Sequence, residues 1–359
     1  MPAWITHLGY AKPGPAVAQG DYAAWMETRL VAGTSIEKWR RFNARVGIIA
    51  RHSVLDVFGA EGERYWPVAG VGAPGTAERS RDFSRLAPPL AMAAISAMAG
   101  GPDRVAELVK GVTDVVVATC TGAVAPGLDV DLVKRLGLPG STRRTVVGFM
   151  GCQAAIPALR IARDTCVAKP GARVLVVCCE LSSLHLQPGP DDDALLAACL
   201  FGDGASAALV ADAPDGLALR CCGEATALIP ASGDQMSWYA GDRGFVLGLS
   251  PHITASLRHE LAPLASALAA DAGFTRAEEV TWIVHPGGPR ILDAAEAALD
   301  LPRGHLDVSR HALAQGGNRS SGTVLAILHD HPAISHPGRI GMIAFGPGLT
   351  AEALLLERS

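Results

Sequence analysis

Apolar residues in this chain fall into two recurring patterns. One is the short unbroken run: Asp114–Thr119 (DVVVAT), Thr145–Phe149 (TVVGF), Arg173–Cys178 (RVLVVC), Ala205–Val210 (ASAALV), Thr281–His285 (TWIVH) and Arg339–Phe345 (RIGMIAF). Such runs, without polar alternation, predict strands covered on both faces. The other is helical spacing. Over Cys152–Ala168, Ile156, Leu159 and Val167 stand opposite Arg160, Arg163 and Asp164, and Ile253–Ala272 and Ser321–Leu328 also read as helices. Strands alternating with helices predict an α/β protein. The turn-rich segment Ala211–Leu217 (ADAPDGL) breaks the chain, and each half ends in strand-rich sequence.

The chain has 359 residues, 49% hydrophobic and 18% charged, enough for two similar-sized domains or one large layered body. A formal net charge of −4 gives no reason to expect a nucleic-acid partner. Local basic clusters can still hold a small polyanion. The start, MPAWITHLGY, lacks the basic-then-apolar order of a signal peptide. No apolar run reaches membrane-span length, and Leu86–Gly100 is broken by prolines. A soluble, cytoplasmic protein is expected. None of the eight cysteines forms a C-x-x-C pair, which argues against a zinc site. Adjacent Cys178 and Cys179 would point to opposite faces of a strand, so they are poor disulfide partners.

Three segments carry chemistry. In VVGFMGCQAA an apolar strand ends at Met150-Gly151, and Cys152 opens a helix. A thiol there meets free N–H groups and the positive end of the helix dipole, which favour the thiolate. Gly151, Ala154 and Ala155 leave room beside the sulfur. In TWIVHPGGPR, His285 ends a strand ahead of a Gly/Pro loop, at the strand end where α/β folds bind ligands. In QGGNRSSGT, Asn318, one of only two asparagines, follows two glycines and precedes a helix capped by Ser320 or Ser321. A buried core cysteine, a core histidine and a Gly-Asn turn are the bland alternatives.

The order Cys152 in GFMGCQAA, His285 in IVHPGGP and Asn318 in GGNRSSGTV resembles the type III polyketide synthases, the chalcone and stilbene synthase family. Leu200–Ala205 (LFGDGA), Ala172–Glu180 (ARVLVVCCE) and Phe345–Thr350 (FGPGLT) also match, although Ala344 stands where plant members usually have glycine. The match runs from about Ile5 to Leu355, behind a shorter N-terminus than in plant enzymes. The resemblance implies a thiolase-like fold of two related α/β halves, residues 1–214 and 215–359, layered αβαβα. It implies a homodimer that uses CoA thioesters, with no cofactor, no membrane span and no obligatory acyl carrier protein.

By the same resemblance, Cys152 holds the acyl chain, His285 pairs with its thiolate, and His285 and Asn318 polarise the malonyl-CoA carbonyl during decarboxylation. Phe201 falls at a gatekeeper position, with Leu247 where a second gatekeeper phenylalanine usually stands. Cys120, Thr121, Ala125, Ser182, His185, Trp238 and Ser320 fall at pocket positions. Ala125 replaces a methionine that crosses the dimer interface in plant enzymes, and the bulk of His185 and Trp238 is expected to shrink or redirect the cavity. Lys38, Arg41 and Arg45 recur along one helix face and align with the CoA-phosphate cations. The pocket cues leave a pyrone, an alkylresorcinol and a naphthalene product open. An initiating-type ketoacyl-ACP synthase would share the three residues, and a catalytically silent partner subunit is a rival from another class. A biosynthetic thiolase would need a cysteine after Cys222, and the sequence has none.

Overall fold

The computed structural model describes residues 2–230, 232–273 and 280–358. Its strands are β1 (Ala3–Ala11), β2 (Val17–Ala18), β3 (Ala50–Arg51), β4 (Asp114–Thr119), β5 (Arg143–Gly148), β6 (Arg173–Leu181), β7 (Asp203–Ala211), β8 (Leu219–Leu228), β9 (Met236–Gly241), β10 (Gly244–Leu249), β11 (Val280–Val284), β12 (Gly338–Gly346) and β13 (Thr350–Arg358). Nine of them form one sheet in the order β11-β12-β13-β8-β1-β7-β6-β4-β5. β2 pairs with β3, and β9 and β10 form a separate hairpin.

The sheet order contains a repeat. β4 and β6 run parallel, β6 and β7 antiparallel, and β7 and β1 antiparallel. The same sequence of directions recurs in β11, β12, β13 and β8. The two four-strand units meet at a short antiparallel pairing, Ala3–Ile5 of β1 with Cys221–Leu219 of β8. The chain passes from one unit to the other through residues 212–218, where the turn-rich segment lies.

Strand alternation sorts side chains into layers. Val116 and Ala118 face a middle layer, while Val115 and Val117 face an outer one. Cys178 and Cys179 divide in the same way, and all eight cysteines are free. Two helices, Ala155–Ala168 and Thr323–Asp330, fill the middle layer between the sheet halves. Ile156, Leu159, Val324 and Leu328 pack there with Ile5, Val176, Ile283 and Met342. Helix Thr76–Ala99 covers the outside of the first half, and helices Ile253–Asp271 and Pro289–Ala298 cover the second. The result is a five-layered αβαβα body. No helix among the described residues is long and apolar enough to cross a membrane.

The structure corrects several sequence expectations. Helix Thr76–Ala99 runs through Pro88 and Pro89, which the sequence reads as an interruption. Burial of Ala87, Leu90, Ala91, Ala94 and Ile95 outweighs the lost helix hydrogen bonds. The run at Thr145–Phe149 is not a doubly covered strand. It belongs to β5, the sheet edge, where every residue but Val147 is exposed. Cys152 does not open an α-helix directly. Gly151–Gln153 is a 3-10 turn, and the α-helix starts at Ala155. Ser320–Gly322 is likewise a 3-10 turn ahead of Thr323–Asp330.

The middle layer is the part of the core that both halves share. Leu159→Ala is therefore expected to cost about 2–5 kcal/mol, because its side chain is wholly buried there. Val167→Ala on the same helix, 48% exposed, should cost less than about 0.5 kcal/mol. Urea denaturation of both variants checks the difference, and equal midpoints would contradict the layer assignment.

Candidate active site

Cys152, His285 and Asn318 come from three separate segments and line one cavity of about 470 Å³. The turn carrying Cys152 is wedged against the C-terminal loop. A Cβ on Gly346 would overlap the Met150 carbonyl oxygen, and one on Gly151 would overlap Pro347. Close backbone approach thus requires glycine on both sides of the contact. The Cys152 Sγ lies 3.7 Å from Asn318 Nδ2 and 3.8 Å from its Oδ1.

Asn318 is fixed at every other polar atom. Its backbone N–H donates to Leu200 O at 2.9 Å, and its carbonyl accepts from Gly202 N at 3.0 Å. Its Oδ1 accepts from Ser320 N at 2.8 Å. That contact sets the amide orientation and leaves Nδ2 as the free donor beside the sulfur. The backbone pair also joins Asn318 to Phe201 as an isolated bridge.

Arg51 secures the other side of this bridge. Its guanidinium is buried and caps the C-terminal end of helix Asp192–Leu200, donating to Ala198 O at 2.7 Å, Phe201 O at 2.9 Å and Cys199 O. The Tyr22 ring lies 4.0 Å from it, and Gln19 Oε1 accepts from its Nε. A cation at the negative end of a helix dipole is favourable.

His285 follows β11, its backbone N–H donating to Ile343 O at 2.8 Å. The ring is 1% exposed, yet neither ring nitrogen has a protein partner among the described residues. Buried polar atoms are ordinarily satisfied, so this ring is arranged to meet a ligand in the cavity. Burial, with the Arg319 charge adding to it, pushes its pKa down to about 3. Burial pushes the Cys152 thiol up to about 11, against the lowering effect of Ser320 and Asn318. Both shifts act against a resting thiolate–imidazolium pair, with desolvation opposing the helix-end effect.

The pocket positions divide. Cys120, Thr121, Ser182, Phe201, Trp238, Leu247 and Ser320 line the cavity. Trp238 Nε1 donates to Cys120 O at 2.7 Å, and His185 Nε2 lies 2.8 Å from Thr121 O. His185 does not narrow the chamber as expected. Its ring stacks on Phe245 at 4.2 Å behind the wall and accepts from Phe245 N at Nδ1. Ala125 is exposed, next to a cis peptide bond with Pro126, and does not reach the cavity of a single chain. Of the proposed CoA cations only Arg45 lines it. Lys38 is paired with Asp192 at 2.7 Å, and Arg41 is exposed beside Phe42.

Sequence reasoning missed two residues. Arg290 lines the same cavity as Arg45, and neither forms an ion pair among the described residues. Its signal was its place at the start of a helix, directly after the His285 loop. Glu180 lies wholly buried beneath the site. It accepts from Ser321 Oγ at 2.6 Å, Thr121 Oγ1 at 2.8 Å and Cys120 N at 3.0 Å, while burial raises its pKa.

Family comparison agrees with this arrangement. The model of the chalcone and stilbene synthase N-terminal domain matches residues 2–214, and that of the C-terminal domain matches residues 223–359. The chain belongs to the chalcone and stilbene synthase family. It is a type III polyketide synthase, a malonyl-CoA-dependent acyltransferase. The synthase resembles PKS-I from the brown alga Ectocarpus siliculosus, with 25% identity over 100% of this chain and 98% of that one and a TM-score of 0.88. It also resembles 1,3,6,8-tetrahydroxynaphthalene synthase from Streptomyces coelicolor A3(2), with 26% identity over 99% of each chain and a TM-score of 0.84. The C-terminal type III polyketide synthase domain of Steely1 from Dictyostelium shares the fold at 23% identity, with a TM-score of 0.88 over 100% of this chain and 99% of that one.

If the resting thiol of the synthase is neutral, its alkylation should accelerate with pH. The expected outcome is that the iodoacetamide rate at Cys152 rises continuously from pH 6 to pH 9, since only the thiolate reacts. Peptide mapping should find Cys152 modified before Cys120, because it is half-buried at the cavity while Cys120 is buried. A rate plateau already reached at pH 6 would show a preformed ion pair instead.

Proposed function

We propose that Cys152, His285 and Asn318 carry out decarboxylative chain extension, and that the chamber selects a small aliphatic starter. What supports this reading is one observation: a thiol, an amide donor and an unpartnered buried imidazole share a single cavity. His285 takes the Cys152 proton as the sulfur attacks an acyl-CoA thioester, and returns it to the departing CoA thiolate. Malonyl-CoA then enters. Loss of carbon dioxide places negative charge on its thioester oxygen, where Asn318 Nδ2–H and one His285 N–H donate. Donors of this kind contribute about 3 kcal/mol each. A neutral imidazole retains the one N–H that this requires. The enolate carbon attacks the Cys152 thioester, the lengthened chain leaves on CoA, and Cys152 recaptures it for the next round. No step calls for a metal or a bound cofactor.

Arg45 and Arg290 hold the CoA phosphates at the mouth. Both line the cavity, and neither forms an ion pair among the described residues. Trp238 fills the chamber where an aromatic starter would extend. The likeness to tetrahydroxynaphthalene synthase supports malonyl-derived or similarly short starters, leading to a pyrone or naphthalene product rather than a long-chain resorcinol. Residues 1–214 and 215–359 act as two halves that close on this chamber, in keeping with the repeated strand order.

The synthase works as a homodimer through the β5 edge. That edge leaves Val146 52% exposed and Phe149 44% exposed, beside unpaired backbone groups that a second copy can cover. The intact site makes the silent-subunit reading unnecessary. The family match removes the ketoacyl-ACP synthase reading.

Release of labelled carbon dioxide from malonyl-CoA by the purified chain tests the proposal. Asn318→Ala should lower that release by about a hundredfold while acyl loading of Cys152 persists. Equal loss of both would point to a structural role. Arg45→Ala and Arg290→Ala should raise the malonyl-CoA KM several-fold at unchanged kcat, with weaker salt dependence. An unchanged KM in both variants would move CoA elsewhere.

A further inference from the structure

Beyond the catalytic chamber lies a second cavity, of about 640 Å³. Trp238, Phe201 and Leu247 line both spaces and form the wall between them. The far side of the wall differs in chemistry. Tyr65, Trp238 and Phe245 supply flat faces there, and Arg79 and Arg243 supply charge.

Arg79 is the informative residue. It is 1% exposed and has no carboxylate partner among the described residues. Its Nε donates to Pro74 O at 2.8 Å and its Nη1 to Leu184 O, while Nη2 makes no hydrogen bond to the protein. The Tyr65 ring lies 5.0 Å below the guanidinium. Arg243 reaches the protein through one long contact, 3.5 Å to Gly70 O, and also lacks an ion-pair partner. The two cations repel each other across the cavity. Of the nearby acids, Asp82 is engaged with Arg64 and Tyr65, Asp192 with Lys38 and Asp193 with the Leu249 amide, while Asp191, also in the lining, is exposed to solvent and pairs with neither arginine. A buried guanidinium without a counter-ion is costly unless an anion joins it. Arginine forks suit a carboxylate, and the surrounding rings suit a flat partner.

We infer that this cavity is a second ligand site, separate from the chamber, for a planar aromatic carboxylate. The carboxylate lies between Arg79 and Arg243, and the ring stacks on the aromatic wall. The site also touches the chamber from behind. His185 stacks on Phe245 and contacts Thr121 O, and Trp238 holds Cys120 O, so an occupant presses on the residues that shape the chamber wall. The site does not depend on which product the synthase makes.

The test is calorimetric titration of the full-length enzyme with 1-naphthoate, and with uncharged 1-naphthamide as control. Naphthoate is expected to saturate, with the amide at least about tenfold weaker. Saturating CoA should leave that affinity unchanged, because CoA occupies the chamber and not this cavity. Arg243→Gln should weaken naphthoate at least about tenfold while malonyl-CoA decarboxylation persists. Arg79→Lys, which keeps the buried charge but loses the fork, should also weaken it. Four results would overturn the inference: no saturable binding, equal binding of the amide, displacement by CoA, or full affinity in both variants.

Discussion

Two backbone hydrogen bonds, Asn318 N to Leu200 O and Gly202 N to Asn318 O, tie the amide proposed to stabilise the enolate to Phe201, the proposed gate residue. Everything else at the site is arranged around that bridge. Asn318 lies in the second half of the chain and Phe201 in the first, so the bridge sets the two halves in register where substrate enters. Arg51 makes the bridge possible. Helix Asp192–Leu200 must stop abruptly beside Asn318, and a buried guanidinium satisfies the carbonyls left over at its end. With the backbone held there and Oδ1 engaged by Ser320, the Asn318 amide has one remaining direction in which to donate.

The layered core explains the electrostatics. Sheet halves on both sides of the middle helices bring Cys152 and His285 to a buried junction. Burial there costs a thiolate or an imidazolium its solvation and shifts both groups toward their neutral forms. The same burial strengthens each hydrogen bond to charge that appears during reaction. The site is thus poorly suited to holding charge at rest and well suited to stabilising it transiently at the enolate oxygen. Glu180 fits the same logic. It is buried and anchors Cys120, Thr121 and Ser321 through hydrogen bonds rather than through an ion pair.

The three residues that meet in the chamber, proposed as its catalytic groups, were legible in the sequence because each sits in a local signal: a glycine-flanked cysteine before a helix, a histidine at a strand end, an asparagine after paired glycines. The strands of the middle of the sheet were legible as apolar runs for similar reasons. What sequence could not supply was the identity of distant neighbours. Lys38, Arg41 and Arg45 share spacing, but only the packed structure shows that Lys38 meets Asp192, 154 residues away. The apolar run in β5 looks like a core strand, and its exposure follows from its place at the edge, which is set by sheet order. His185 and Trp238 were recognised as bulky pocket residues. That Trp238 lines the chamber while His185 stands behind its wall depends on which carbonyl each contacts.

Gly317 gives direct access to the bridge at Phe201 and Asn318. Gly317 has a φ of +68°, and an added Cβ would lie 3.0 Å from Leu200 O and 3.3 Å from Gly202 N. Gly317→Ala should therefore displace the bridge without touching the three reacting side chains. In protein with an unchanged far-ultraviolet circular dichroism spectrum, the turnover number for malonyl-CoA decarboxylation should fall at least about tenfold, with KM and Cys152 alkylation little changed. Full turnover in the folded variant would contradict the claim that this backbone contact positions the catalytic amide.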